Sequence, residues 1–295
     1  MQNRKTRRYK RFVRTVIFRG CYHHYQFNGW RHSDEKDNWY DFCIDALLAF
    51  VFPLSSFAAS YTYSTYTANQ VTLNIIQTSP GSIQFKTLNR DKNLQQTSYV
   101  GINGGFFSAQ IEKSTGMYKT HNIAIKNGVP VIGTSNNANN GWYNSGNQGT
   151  IIWDAKNGKF LYRVLNTGWE VNKAVGHTNY WAQGGVSMSL GSKNWKDVAL
   201  KEKLPNPDGK VERSAMVYNG TSVYLIVTNS DCTAETFRAT IQKYFGIKDG
   251  EPKSNVNGIF LDGSGSSQMK AYDSKNKLVN ITGDGRKLVQ IITVN

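Results

Sequence analysis

A single β-rich domain with antiparallel hairpins and one marked helix is predicted for the 235 residues from Tyr61 onward. Three observations carry that expectation. Short β-branched and aromatic runs recur between turn signals, one stretch alone has a clear helical period, and no repeat, heptad pattern or low-complexity linker interrupts the chain. Composition narrows the class further: hydrophobic residues make up 39% and aromatics 13%, too rich for disorder, and 27 Gly with 6 Pro fit no collagen-like or Pro-rich chain.

Residues 1–60 form a separate leader. Eight Lys/Arg fall between Arg4 and Arg19, followed by the apolar run Ala46 to Leu54, nine residues long. A membrane-spanning helix needs roughly 20, so no transmembrane segment is expected. Ala58 and Ser60 supply small side chains at signal-peptidase spacing, and an export signal cleaved near Ser60 is expected, giving a secreted protein. The acidic stretch Asp34 to Asp41 just before the apolar run does not suit such a signal, and a start assigned too early would explain it.

Within the domain, Val71 to Gln77 and Ile83 to Leu88 read as strands split by Pro80-Gly81. Asn127-Gly128, Asn157-Gly158 and Asn219-Gly220 sit between apolar runs, where two-residue hairpins with positive φ belong. Gly133 to Gly149, dense in Asn, Gly and Ser, reads as a surface loop or a lid carrying Trp142 and Tyr143. The helix runs from Ala234 towards Gly246: Asp231 or Thr233 can cap its start, Phe237, Ile241, Tyr244 and Phe245 share a face, and Gly246 ends it. Strand Gly258 to Leu261 then runs into Asp262-Gly263-Ser264-Gly265-Ser266-Ser267.

That junction is the strongest site candidate. A carboxylate at the end of a buried strand, followed by Gly and Ser with free backbone N–H groups and hydroxyls, suits a charged ligand; the alternative is a carboxylate that merely ties down its own loop. Asn103-Gly104-Gly105 closes an earlier apolar strand with an amide that both donates and accepts. Arg213 opens a strand and suits bidentate phosphate binding. The three cysteines, Cys21, Cys43 and Cys232, form no Cys-x-x-Cys pair, and His121 and His177 stand isolated. No metal or other cofactor is required; a structural calcium held by loop Asp and Asn oxygens is the alternative, though no spacing signals it.

In order, Ile102-Asn103-Gly104-Gly105-Phe106-Phe107, Gln183-Gly184-Gly185, Arg213-Ser214-Ala215, the helix, Leu261 to Ser267 and Gly285-Arg286-Lys287-Leu288-Val289 resemble the phosphodiester glycosidase family over residues 98–294. The resemblance implies an α+β domain with a mixed, mainly antiparallel sheet and few helices. It implies hydrolysis of the glycosidic C–O bond of a sugar-1-phosphodiester, with Asp262, Arg213 and Asn103 catalytic. Gly104, Gly105, Gly185, Gly263, Ser266, Ser267 and Arg286 would line the substrate. Two departures stand out: Ser264 occupies a position that is usually glycine in the family, and Asn229-Ser230-Asp231 replaces the usual Asp-Gly-Arg. A serine forced to positive φ there would cost about 1 kcal/mol.

The net charge is +15, of which residues 1–60 carry +5 and the domain +10. Such a field attracts polyanions without choosing among them. The motifs favour phosphorylated glycans, in a wall polymer or exopolysaccharide, over nucleic acid, and a non-catalytic module binding the same glycans is the alternative.

Overall fold

The computed structural model describes residues 60–113, 116–131 and 141–295. The expected leader and export signal therefore lie outside the described residues, as do residues 132–140 of the expected loop.

The chain enters β1 (Tyr61–Ala68) and β2 (Val71–Thr78), then β3 (Ile83–Thr87), β4 (Val100–Asn103), the hairpin β5 (Phe107–Glu112) and β6 (Met117–Thr120), and the short β7 (Ala124–Lys126) and β8 (Val129–Pro130). Next come β9 (Tyr143–Asp154), β10 (Lys159–Thr167), α1 (Gly168–Val175), β11 (Tyr180–Gly184), β12 (Val186–Ser187) and α2 (Trp195–Lys201). The last third holds β13 (Ser214–Asn219), β14 (Ser222–Thr228), α3 (Ala234–Phe245), β15 (Val256–Phe260), β16 (Met269–Tyr272), β17 (Leu278–Ile281) and β18 (Gln290–Val294).

Three larger sheets form: a six-stranded one ordered β1-β2-β14-β13-β15-β12, and two five-stranded ones ordered β10-β9-β11-β7-β8 and β17-β16-β4-β18-β3. Every ladder among the described residues is antiparallel, so the mixed sheet expected from the family resemblance is absent from them. Hairpins whose strands follow each other closely in sequence, such as β1–β2, β9–β10 and β13–β14, need no crossover, and that favours antiparallel pairing.

The six-stranded sheet is covered on both faces. Alternate residues divide between them: Leu73, Ile75, Ala215, Val217 and Ile226 pack with Phe237 and Ile241 of α3 and Trp195 of α2, whereas Ile76, Met216, Leu225 and Ile259 pack with Ile102, Met269 and Ile292 of one five-stranded sheet and Ile151 and Trp181 of the other. Both residue parities are therefore apolar in β13 and β14. Removing each such side chain from water contributes on the order of 2 kcal/mol.

Helix α3 forms where its period and caps place it. The Thr233 hydroxyl accepts from Thr236 N, and Gly246 closes the helix at φ +62°. The turns vary more. Asn127-Gly128 joins β7 to β8 with both residues at positive φ, as expected. The β13–β14 loop is Gly220-Thr221, one residue further on, and β9–β10 is joined by the four residues 155–158. Tyr143 to Gly149 belong to β9 and Trp142 is buried against Trp169, so these residues form neither a surface loop nor a stacking lid. No helix among the described residues is long and apolar enough to cross a membrane.

Candidate active site

The ends of three central strands meet at one point. Leu261 N donates to Ser214 O at 2.9 Å, Asp262 N to Gly104 O at 3.3 Å, and the Asn103 side-chain amide to Asp262 O at 2.7 Å. β15, β13 and β4 thereby deliver Asp262 to the wall of a cavity of about 150 Å³. Its other walls are Phe106, the stretch Leu204-Pro205-Asn206, Val211, Arg213 and Arg286, with Gly263 and Ser264 beside the carboxylate.

Asp262 is half-buried, and its pKa is pushed up to about 6. Loss of hydration drives the rise; the Ser266 hydroxyl, the Arg286 charge and the Gly263 N–H, 3.1 Å from Oδ1, pull partly the other way. Ser266 is fully buried and its Oγ meets no partner in hydrogen-bond geometry. A carboxyl poised near neutrality is suited to proton transfer, which a loop-tying carboxylate would not need.

Arg286 lies across a turn from Asp284, whose carboxylate accepts from Nε at 3.0 Å and from an Nη nitrogen at 2.5 Å. The pair is half-exposed, so it contributes little to stability. It fixes the guanidinium instead, holding the Asp284 carboxyl below its usual range and the arginine above its own. Gly265 makes room, since a Cβ there would stand 2.0 Å from Asp284 Oδ2. Asp284 is a residue that motif reading missed, although Asp-Gly-Arg across a glycine turn was a visible signal.

Arg213 reaches the cavity but is not a free phosphate clamp. It is 5% exposed, and its guanidinium donates to three backbone carbonyls, Cys232 at 3.2 Å, Asn206 at 2.7 Å and Gly209 at 2.8 Å. Only Nη1 is left without a hydrogen bond, and no carboxylate pairs with the group among the described residues. Burial accordingly lowers its pKa from the usual arginine value. The side chain holds the 204–211 wall in place and leaves an uncompensated positive charge beside the cavity.

Asn103, expected among the catalytic residues, spends its hydrogen bonds inside the fold. It is 1% exposed, its NH2 donates to the carbonyls of Asp262 and Gly104, and its Oδ1 accepts from Ser214 Oγ at 2.7 Å and Gln268 N at 3.2 Å. With donors and acceptor committed, it ties β4 to the Asp262 loop. The glycines split likewise. A Cβ at Gly104 would strike Gln290, at Gly105 Asn122 and at Gly185 the Phe260 carbonyl, so these three serve packing, whereas Gly263 lines the cavity. Ser267 is buried and accepts from Ser214 Oγ at 3.2 Å.

Ser264 stands at φ +56°, in the left-handed region, the case in which a serine is strained by about 1 kcal/mol. His177 is 3.1 Å from Asp154 beside the β9–β10 turn, away from the cavity residues in the fold's topology. No group of three or more His, Cys, Asp or Glu side chains is arranged to hold a metal among the described residues.

No protein-family model matches the chain, and no curated protein does. Solved structures do match. One is the zebrafish N-acetylglucosamine-1-phosphodiester alpha-N-acetylglucosaminidase catalytic domain, auto-inhibited by its pro-peptide, at 13% identity and TM-score 0.49 over 80% of this chain and 82% of that one. Another is a hypothetical protein from Synechocystis, at 11% identity and TM-score 0.50 over 79% of this chain and 61% of that one. The Synechocystis likeness supports a shared fold for the described strands and helices and speaks to nothing beyond it.

Proposed function

We propose that this protein hydrolyses the glycosidic C–O bond of a sugar-1-phosphodiester, in a glycan or wall polymer outside the cell. The observation that carries the reading is a carboxyl with its pKa near 6 sharing one cavity with two guanidinium groups. The order of motifs along the chain supports the same chemistry.

In this reading Arg286, oriented by Asp284, and the free Nη1 of Arg213 hold the phosphate, and the ionised Asp262 faces the anomeric carbon. The anomeric C–O bond breaks, and the phosphomonoester departs with the bonding pair. Water adds its oxygen to the anomeric carbon and passes a proton to Asp262, which then releases it to solvent. A phosphomonoester is a far better leaving group than an alkoxide, so one carboxylate suffices where ordinary glycosidases use two, and neutralising phosphate charge becomes the larger task.

The test is hydrolysis of a sugar-1-phosphate methyl diester. Asp262→Asn and Arg286→Ala should each remain folded and lose at least about a hundredfold in kcat/KM, the usual scale for a proton-transfer or charge-stabilising group. Turnover by both variants at the native rate would remove this site. A second reading, a non-catalytic module for the same anionic glycans, is favoured by one observation: among the described residues, Asp262 is the only acidic one on the cavity wall. Binding of the diester without product by the native protein would select it.

A further inference from the structure

We propose that Ser264 is a substrate-contacting residue, its hydroxyl donating to a phosphoryl oxygen of the bound ligand; this assignment rests on the phosphodiester reading above. The serine stands at φ +56°, where glycine would sit without strain. Its backbone has no freedom to relax: Ser264 N donates to Glu212 O at 2.7 Å, and its carbonyl accepts from Ser267 N at 2.8 Å. The serine therefore brings nothing to the turn that glycine would not. What it brings is a side chain on the cavity wall, next to Asp262, Gly263 and Arg286.

Its neighbours have less room for one. A Cβ at Gly263 would lie 3.2 Å from Glu212 O, and one at Gly265 would strike the Asp284 carboxylate and the Arg286 guanidinium at 2.0 and 2.5 Å. No hydrogen bond to the protein engages the Ser264 hydroxyl among the described residues, so it is free for a ligand. The surrounding wall otherwise offers a carboxylate, two guanidinium groups and apolar carbons from Phe106, Leu204 and Val211. With Asp262 facing the anomeric carbon, the phosphate lies one bond further on. A neutral donor there complements the charged ones and supplies direction that a guanidinium half-committed to other partners does not.

The experiment compares the native protein with Ser264→Ala, which keeps the backbone strain and loses the hydroxyl, and Ser264→Gly, which loses both. Isothermal titration with inorganic phosphate and steady-state hydrolysis of the sugar-1-phosphate methyl diester are the readouts, with urea unfolding as the check on folding. Both variants should bind phosphate about tenfold more weakly and raise KM by a similar factor, the scale of one hydrogen bond. Ser264→Ala should unfold with the native protein and Ser264→Gly at the same or higher urea. Phosphate affinity in Ser264→Ala within about twofold of a native protein that does bind and turn over would overturn this assignment alone. A native protein that neither binds phosphate nor hydrolyses the diester would overturn the phosphodiester reading, and the assignment with it.

Discussion

At the scale of single residues, burial of Asp262 links stability to pH. Its pKa is raised in the folded state from 3.8 to about 6, so the fold binds a proton that the unfolded chain has already released between those values. Stability contributed by this group is therefore present below about pH 4 and falls as pH rises through about 6. Asp262→Asn should gain about 3 kcal/mol over the native protein at pH 8 and nothing at pH 3.5. Urea unfolding at the two pH values checks this, and equal native and variant stability at both would mean the carboxyl is not desolvated. In the proposed hydrolysis Asp262 acts ionised, so kcat/KM should climb over the same interval. Arg213 has the opposite character. Removing it strands the carbonyls of Cys232, Asn206 and Gly209, and Arg213→Ala should lose about 2–4 kcal/mol. Arg213→Lys should recover little of it, since an ammonium cannot reproduce the planar fork; full recovery in thermal unfolding would point to charge alone.

Elements show where sequence rules are sufficient and where they are not. Helix α3 was legible from its cap residues and period because these are local properties. The Asn127-Gly128 turn was legible for the same reason, both residues needing positive φ. The β1–β2 turn escaped, because its Asn69-Gln70 adopts φ +50° and +60° with a residue that carries no such signature. Gln70→Gly should therefore stabilise the hairpin by roughly 0.5–1 kcal/mol, read as a higher urea midpoint; a lower midpoint would show that the Gln70 side chain matters more than its backbone. Asn103 was visible as a polar residue in a glycine turn, but its role was not. Its partners Ser214, Asp262 and Gln268 lie 111, 159 and 165 residues away, and only the fold reveals that its hydrogen-bonding capacity is spent. The same holds for Trp142, which loop composition placed at the surface and the packing of α1 buries.

At the scale of the whole molecule, the cavity lies where the ends of β13 and β15 meet the loops that follow β4, α2 and β17. Strands β4, β13 and β15 are neighbours in space although Asn103, Ser214 and Asp262 are far apart in sequence, and packing on both faces of the six-stranded sheet supports that convergence. Motif order therefore picked out the loops that meet, while the division of labour within them came from burial: Asp262, Gly263, Ser264 and Arg286 face the cavity, and Asn103, Gly104, Gly105 and Ser267 brace it. The domain's charge of +10 suits the anionic substrate proposed above. The proposed hydrolysis breaks the bond at carbon rather than phosphorus, and isotope placement distinguishes the two. Hydrolysis of a sugar-1-phosphodiester in water enriched in ¹⁸O should put the label on the anomeric oxygen of the released sugar, with none on the phosphate. Label in the phosphomonoester would contradict it.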